Sequence, residues 1–209
     1  SANMCLGWSR TKGKTTNPEY KAGDKIPART GNYYMVIFSV KQDRAPSSIR
    51  KPTKHQKVYF VGDSRTVFME MALGNSAPSN VDFVCKRGEG LTWFKETGYR
   101  ELVRKLARQS KNTRKAVIIN LGVNDLQNIN GYVSYMKAVA TNLKKNYNCE
   151  MYYLSVNPVN SAVIRANAGY VRTEAQIASF NKTIYQKLCN GSKRSFTYIN
   201  TCTNLQKYG

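Results

Sequence analysis

The sequence predicts an α/β fold, a parallel sheet with helices on both faces. Three observations carry this. From Lys57 onward, short apolar runs of strand length alternate with segments of 10–18 residues that have helical spacing. Strands separated by helices in this regular order imply βαβ crossovers and therefore parallel pairing. Hydrophobic residues make up 41% of the 209, enough for a packed core, yet no apolar run approaches the ~18–20 residues of a membrane span.

The elements follow in order. Val58-Tyr59-Phe60-Val61 is a strand that ends in Gly62, and Val67 to Leu73 has helical spacing. Val81 to Cys85 is a second strand, followed by a helix over Leu91 to Leu106 with Leu102, Val103 and Leu106 on its apolar side. Ala116 to Leu121 is the strongest strand, because β-branched residues dominate it. A helix over Tyr132 to Tyr147 presents Val133, Met136, Val139, Ala140 and Leu143 on one face. Met151 to Val156 is the fourth strand. Thr173 caps a helix reaching Leu188, with Ile177, Phe180, Ile184 and Leu188 inward. A fifth strand begins at Phe196 and runs to Ile199.

The first 56 residues have a different texture, rich in Gly, Thr, Asn, Lys and Pro. Their one clear strand is Tyr33 to Val40, with turn chemistry at Asn17-Pro18 and Ala22-Gly23-Asp24. Residues 41–56 read as a linker that carries the single histidine, His55. The expected organisation is a small β module over 1–40, a linker over 41–56 and the α/β domain over 57–209.

The chain is strongly basic, with a net charge of +21. Residues 1–56 hold 11 basic and 3 acidic side chains and residues 57–209 hold 22 and 9, so the excess is not confined to a tail. Such a field favours polyanionic neighbours, such as an anionic wall polymer, or serves solubility alone. No nucleic-acid-binding signature accompanies it. The five cysteines Cys5, Cys85, Cys149, Cys189 and Cys202 have no metal-ligand spacing, and those beside strands fit as small buried hydrophobes. No metal or other cofactor is implied.

In an open parallel sheet, reactive groups gather beyond the carboxyl ends of the strands. The first strand ends Gly62-Asp63-Ser64-Arg65, the second leads into Lys86-Arg87-Gly88-Glu89-Gly90, and the third ends Gly122-Val123-Asn124-Asp125. A serine between strand and helix sits near a helix amino terminus, which favours developing negative charge. Taken alone, Ser64 fits equally a helix N-cap, and Asn124-Asp125 fits an Asx turn. An amide side chain and a loop glycine N–H on neighbouring strand ends can instead donate to an oxyanion.

Val61-Gly62-Asp63-Ser64-Arg65, the glycines of Gly88-Glu89-Gly90-Leu91, and Gly122-Val123-Asn124-Asp125 together resemble the first three blocks of the SGNH (GDSL-type) hydrolases. The resemblance covers residues 57–209. It implies a flavodoxin-like three-layer α/β/α sandwich with a five-stranded parallel sheet, and ester hydrolysis through an acyl-serine. It further implies Ser64 as nucleophile and an oxyanion hole from Ser64 N–H, Gly88 N–H (with Gly90 as alternative) and the Asn124 amide. Asp63 and Asp125 would organise their loops. The family's closing Asp-x-x-His has no counterpart here: no Asp follows Asp125, and His55 precedes Ser64. The expectation is therefore a chain cut short of that block, weakly active or inactive by itself, because a serine without a base is a poor nucleophile at neutral pH.

Leu6-Gly7-Trp8-Ser9, Tyr20-Lys21-Ala22-Gly23-Asp24 and the strand near Tyr34 to Val40 resemble part of a Listeria–Bacteroides-type surface repeat. That resemblance implies a secreted or wall-associated protein. Two functions of different class follow. The first is an extracellular serine esterase or acetylesterase acting on an acylated carbohydrate or another wall ester. The second is a noncatalytic basic module that binds an anionic wall polymer or glycan, with Trp93, Phe94 and Tyr99 beside Lys86 and Arg87 as its surface, although Trp93 and Phe94 fit equally as residues that pack their helix. A flavodoxin-like receiver or nucleotide domain is disfavoured, because the first strand lacks an acidic cluster and no phosphate-binding glycine loop is present.

Overall fold

A computed structural model describes residues 3–14, 18–21, 25–26, 31–39, 57–159 and 172–208. The chain forms two compact units, the smaller from residues 1–51 with 208–209 and the larger from residues 52–207. The linker expected over 41–56, with His55, lies outside the described residues.

In the first unit, β1 (Asn3–Ser9), β2 (Tyr20–Lys21) and β3 (Tyr34–Ser39) form an antiparallel sheet in the order β2-β1-β3. β3 is the strand expected near Tyr33 to Val40, whereas β1 was not foreseen, because Gly7 interrupts its apolar pattern. The β1–β3 register shifts between Cys5 and Gly7, as a glycine in a strand often permits. Beyond β1, Ser9 Oγ donates to Glu19 Oε1 at 2.9 Å, which holds the Glu19 carboxyl below its usual range. Of the Tyr-x-x-Gly-Asp stretch only Tyr20 and Lys21 are described.

The second unit is built on five parallel strands: β4 (Lys57–Gly62), β5 (Val81–Cys85), β6 (Lys115–Asn120), β7 (Cys149–Leu154) and β8 (Thr197–Ile199). Their order across the sheet is β5-β4-β6-β7-β8. Counted from β4, this is the 2-1-3-4-5 order of a flavodoxin-like sheet, as expected, with its switch point between β4 and β6. Helices complete the three layers: α1 (Ser64–Leu73), α2 (Leu91–Trp93), α3 (Tyr99–Ala107), α4 (Ile129–Tyr147), α5 (Glu174–Ile184) and α6 (Thr201–Tyr208). One continuous core includes Tyr59, Val61, Phe94, Ile119, Met136 and Tyr153.

In the second unit the structure departs from the sequence reading at three elements. The helix expected over Leu91 to Leu106 contains a wider π turn at Phe94–Gly98. A Cβ on Gly98 would lie 2.9 Å from Trp93 Cη2, so the glycine admits the ring. The helix expected to reach Leu188 likewise passes into a π turn at Tyr185–Cys189. The polar segment after β8 folds as α6, although it has few apolar residues to signal a helix. Trp93 and Phe94 are 6% and 0% exposed, so they pack the core, as the helix-packing reading expects, and cannot form the aromatic surface of a glycan-binding module.

At the amino end of the sheet, Lys115 is 1% exposed and donates to the carbonyls of Ser110, Thr113 and Tyr147 at 2.8, 2.7 and 3.0 Å. Three donors meet three acceptors, which makes a buried ammonium tolerable. Burial still pulls its pKa down. The described cysteines Cys85, Cys149, Cys189 and Cys202 are free thiols.

Candidate active site

Strand register brings the three sequence blocks to one end of the sheet. Gly62 pairs with Cys85 on one side and with Asn120 on the other. Ser64, the loop Lys86–Gly90 and the turn Gly122–Asp125 therefore leave adjacent strands at their carboxyl ends, across the switch point.

The turn into α1 is built from close contacts. Gly62 has no positive φ. It is glycine because a Cβ there would overlap Thr66 Oγ1 and lie 2.7 Å from Asn120 O. This close approach, rather than a left-handed turn, fixes the residue type. Asn120 Nδ2 donates to Thr66 Oγ1 at 3.0 Å, and Asp63 N donates to Asn120 O at 3.3 Å. The helix N-cap is Asp63: its Oδ1 accepts from Arg65 N at 3.0 Å. Ser64 is thus the first residue of α1 and is not its cap. Its half-buried side chain hydrogen-bonds no other side chain among the described residues.

Asp63 is fully buried and receives two more bonds from the Arg65 guanidinium, Nε at 2.9 Å and Nη2 at 2.8 Å. Arg65 Nη2 also donates to Asn120 O at 3.2 Å. Three donors on its two oxygens, together with full burial, commit this carboxylate to holding the turn.

Asp125 does comparable work on the other side. Its Oδ2 accepts from Leu91 N at 2.8 Å and its Oδ1 from Tyr132 OH at 2.6 Å. These bonds join the β5–α2 loop, the β6 end and α4. Burial pushes the Tyr132 phenol far up, and Asp125 adds to that, so Tyr132 stays protonated and donates to Asp125. Gly90 lies against the Asp125 carboxylate, where a Cβ would overlap Oδ2. Gly88 is exposed, with φ +73 and open space where a side chain would point.

Asn124 makes no Asx turn. Its Nδ2 donates to Glu89 O at 2.7 Å, reaching the β5 loop, and its Oδ1 accepts from Arg172 Nη2 at 3.0 Å. Arg172 and the Glu89 carbonyl are the participants that the sequence did not disclose. Asn124 also lines a cleft of about 440 Å3 with Val123, Leu126, Arg172, Phe180 and Thr183. Ser64 is not among the residues lining it. Behind this cleft, Asn181 brackets Val156 with bonds of 2.8 and 2.9 Å to its N–H and C=O, so the β7 end is fastened to α5.

His55 falls outside the described residues, and among the described residues no side chain accepts from the Ser64 hydroxyl. Among the described residues, no cluster of three or more His, Cys, Asp or Glu side chains is arranged to hold a metal. Nor is any described helix long and apolar enough to cross a membrane.

No protein-family model matches this chain, and no curated protein matches it. Solved structures do. A Streptococcus pneumoniae protein proposed to be a platelet activating factor superposes with a TM-score of 0.56 at 17% identity, covering 76% of this chain and 70% of its own. The C-terminal catalytic domain of Streptococcus pneumoniae peptidoglycan O-acetyltransferase A, solved with a methylsulfonyl adduct, gives a TM-score of 0.48 at 15% identity over 73% of each chain. The first likeness is one of fold alone, and the second, looser one adds nothing to it.

Proposed function

We propose that residues 57–209 form an SGNH-type serine esterase domain. Ser64 Oγ would attack the acyl carbon of an ester, and the departing alcohol would take up the serine proton. Water would then release the acyl group as a carboxylic acid. The N–H of Ser64, the N–H of Gly88 or Gly90, and Asn124 Nδ2 would hold the oxyanion. Asp63 and Asp125 would keep the two loops in place. The observation that carries the reading is the pairing of Gly62 with Asn120, which sets Ser64, at a helix start, beside the turn that bears Asn124.

An acylated carbohydrate or another cell-wall ester, outside the cell, is the substrate class we favour. The support is the surface-repeat resemblance of the first forty residues and a net charge of +21, which draws the enzyme to anionic polymers. The full gene product, treated with a fluorophosphonate probe and digested, should show the adduct on the peptide containing Ser64. Ser64→Ala should abolish it. A folded protein that acquires no adduct, yet binds anionic wall polymer in a salt-dependent way, would replace this reading with that of a basic binding module.

A further inference from the structure

The Asn124 amide has an acceptor-only partner at one end and a donor-only partner at the other. Glu89 O can only accept, and the Arg172 guanidinium can only donate. Flipping the amide would set NH2 against guanidinium and oxygen against carbonyl, two repulsions in place of two bonds. Its orientation is therefore dictated by its partners. Nδ2 carries two hydrogens, and the bond to Glu89 O engages one of them.

Arg172 is well placed to impose this. It lies 48 residues along the chain from Asn124, directly before Thr173, the N-cap of α5. A complete capping box, Gln176 N to Thr173 Oγ1 at 3.1 Å and Thr173 N to Gln176 Oε1 at 2.9 Å, fixes the backbone there. Arg172 is also the only charged side chain among the described residues that line the cleft.

We propose that Arg172 is a positioning residue for the Asn124 donor. It acts through Asn124 and does not touch the reacting atoms. It holds Oδ1 so that the second Nδ2–H stays aimed at the site, and by drawing electron density through the amide it makes that hydrogen a stronger donor. The inference rests on the proposed esterase reading and deepens it.

Two readouts test it. The first is the side-chain amide pair of Asn124 in 15N–1H spectra. In the wild type both protons should resonate away from the positions of an exposed asparagine and exchange slowly with water. In Arg172→Met both should move toward the exposed-asparagine positions and exchange faster with water, and Arg172→Lys, which keeps a cationic donor, should lie between. The second is the rate of fluorophosphonate labelling of Ser64 in the full gene product. Arg172→Met should slow it by about 10- to 100-fold, the scale expected when an oxyanion donor is misplaced. Arg172→Lys should recover part of the loss, at an unchanged thermal midpoint. Folded Arg172→Met with wild-type amide signals, or with a wild-type labelling rate, would overturn the proposal. A wild type that never labels would instead overturn the esterase reading, and the amide spectrum would still decide whether Arg172 orients Asn124.

Discussion

Asn120 Nδ2 donates to Thr66 Oγ1 at 3.0 Å in a seam where Asn120 is 3% exposed and Thr66 fully buried. The bond ties the end of the central strand β6 to the first turn of α1, directly beneath Ser64. Each partner alone would leave the other polar group stranded.

Asn120→Leu and Thr66→Val should therefore each destabilise the fold by about 1–3 kcal/mol, the cost of an unsatisfied buried polar group. The double variant should lose less than the sum of the two. Urea unfolding of all three, analysed as a double-mutant cycle, measures the coupling. Additive losses would show that the bond contributes nothing.

Asp63 and Arg65 form a second test. Asp63→Ala removes both the N-cap and the guanidinium's partner. A loss of about 2–4 kcal/mol is expected, below the full penalty of a completely buried pair because Arg65 keeps some exposure. Arg65→Lys should also cost stability, since an ammonium cannot reproduce the two-pronged contact. Calorimetry of both variants checks this, and a change within experimental scatter for Asp63→Ala would contradict it.

Asp125 secures the β5–α2 loop through Leu91 N. Asp125→Ala should release that amide, raising its hydrogen-exchange rate by about 10- to 100-fold, as befits a hydrogen bond to a charged acceptor. Amides in β6 should exchange as before. Equal protection of Leu91 in variant and wild type would refute the assignment.

Stability should fall in alkali. Burial raises the thiol of Cys149 from 9.0 to about 11 and those of Cys85 and Cys189 to about 12. Above pH 9 the unfolded chain releases these protons while the fold retains them. Their contribution is thus complete below pH 9 and is lost as pH rises toward 11–12. Lys115 acts with opposite sign: its folded pKa lies below 10.5, so deprotonation relieves its burial as pH rises toward that value. Thermal midpoints should decline between pH 8.5 and 10.5, and Cys149→Ala with Cys189→Ala should flatten the decline. A steeper slope in that double variant would exclude the thiols as its source.

The five strands of the second unit were legible because each is a short apolar run between helical periods. The three blocks at their ends were legible as residue types at strand termini. What escaped the sequence has physical causes. The π turns depend on how the Trp93 and Phe94 rings meet Gly98. β1 is broken in pattern by Gly7, and α6 has too few apolar residues to announce itself. Arg172 belongs to the Asn124 environment through a contact spanning 48 residues, and Glu89 takes part through its main chain, which every residue shares.

The fork from Arg65 to Asp63 has an effect beyond rigidity. In a molecule with a net charge of +21, the cation adjoining Ser64 is cancelled by its own neighbour. Attraction of a polyanion must then come from the other lysines and arginines, whose reach shrinks with ionic strength, while Arg65 itself contributes little. Added salt should slow the arrival of an anionic ligand and leave events at the hydroxyl itself untouched.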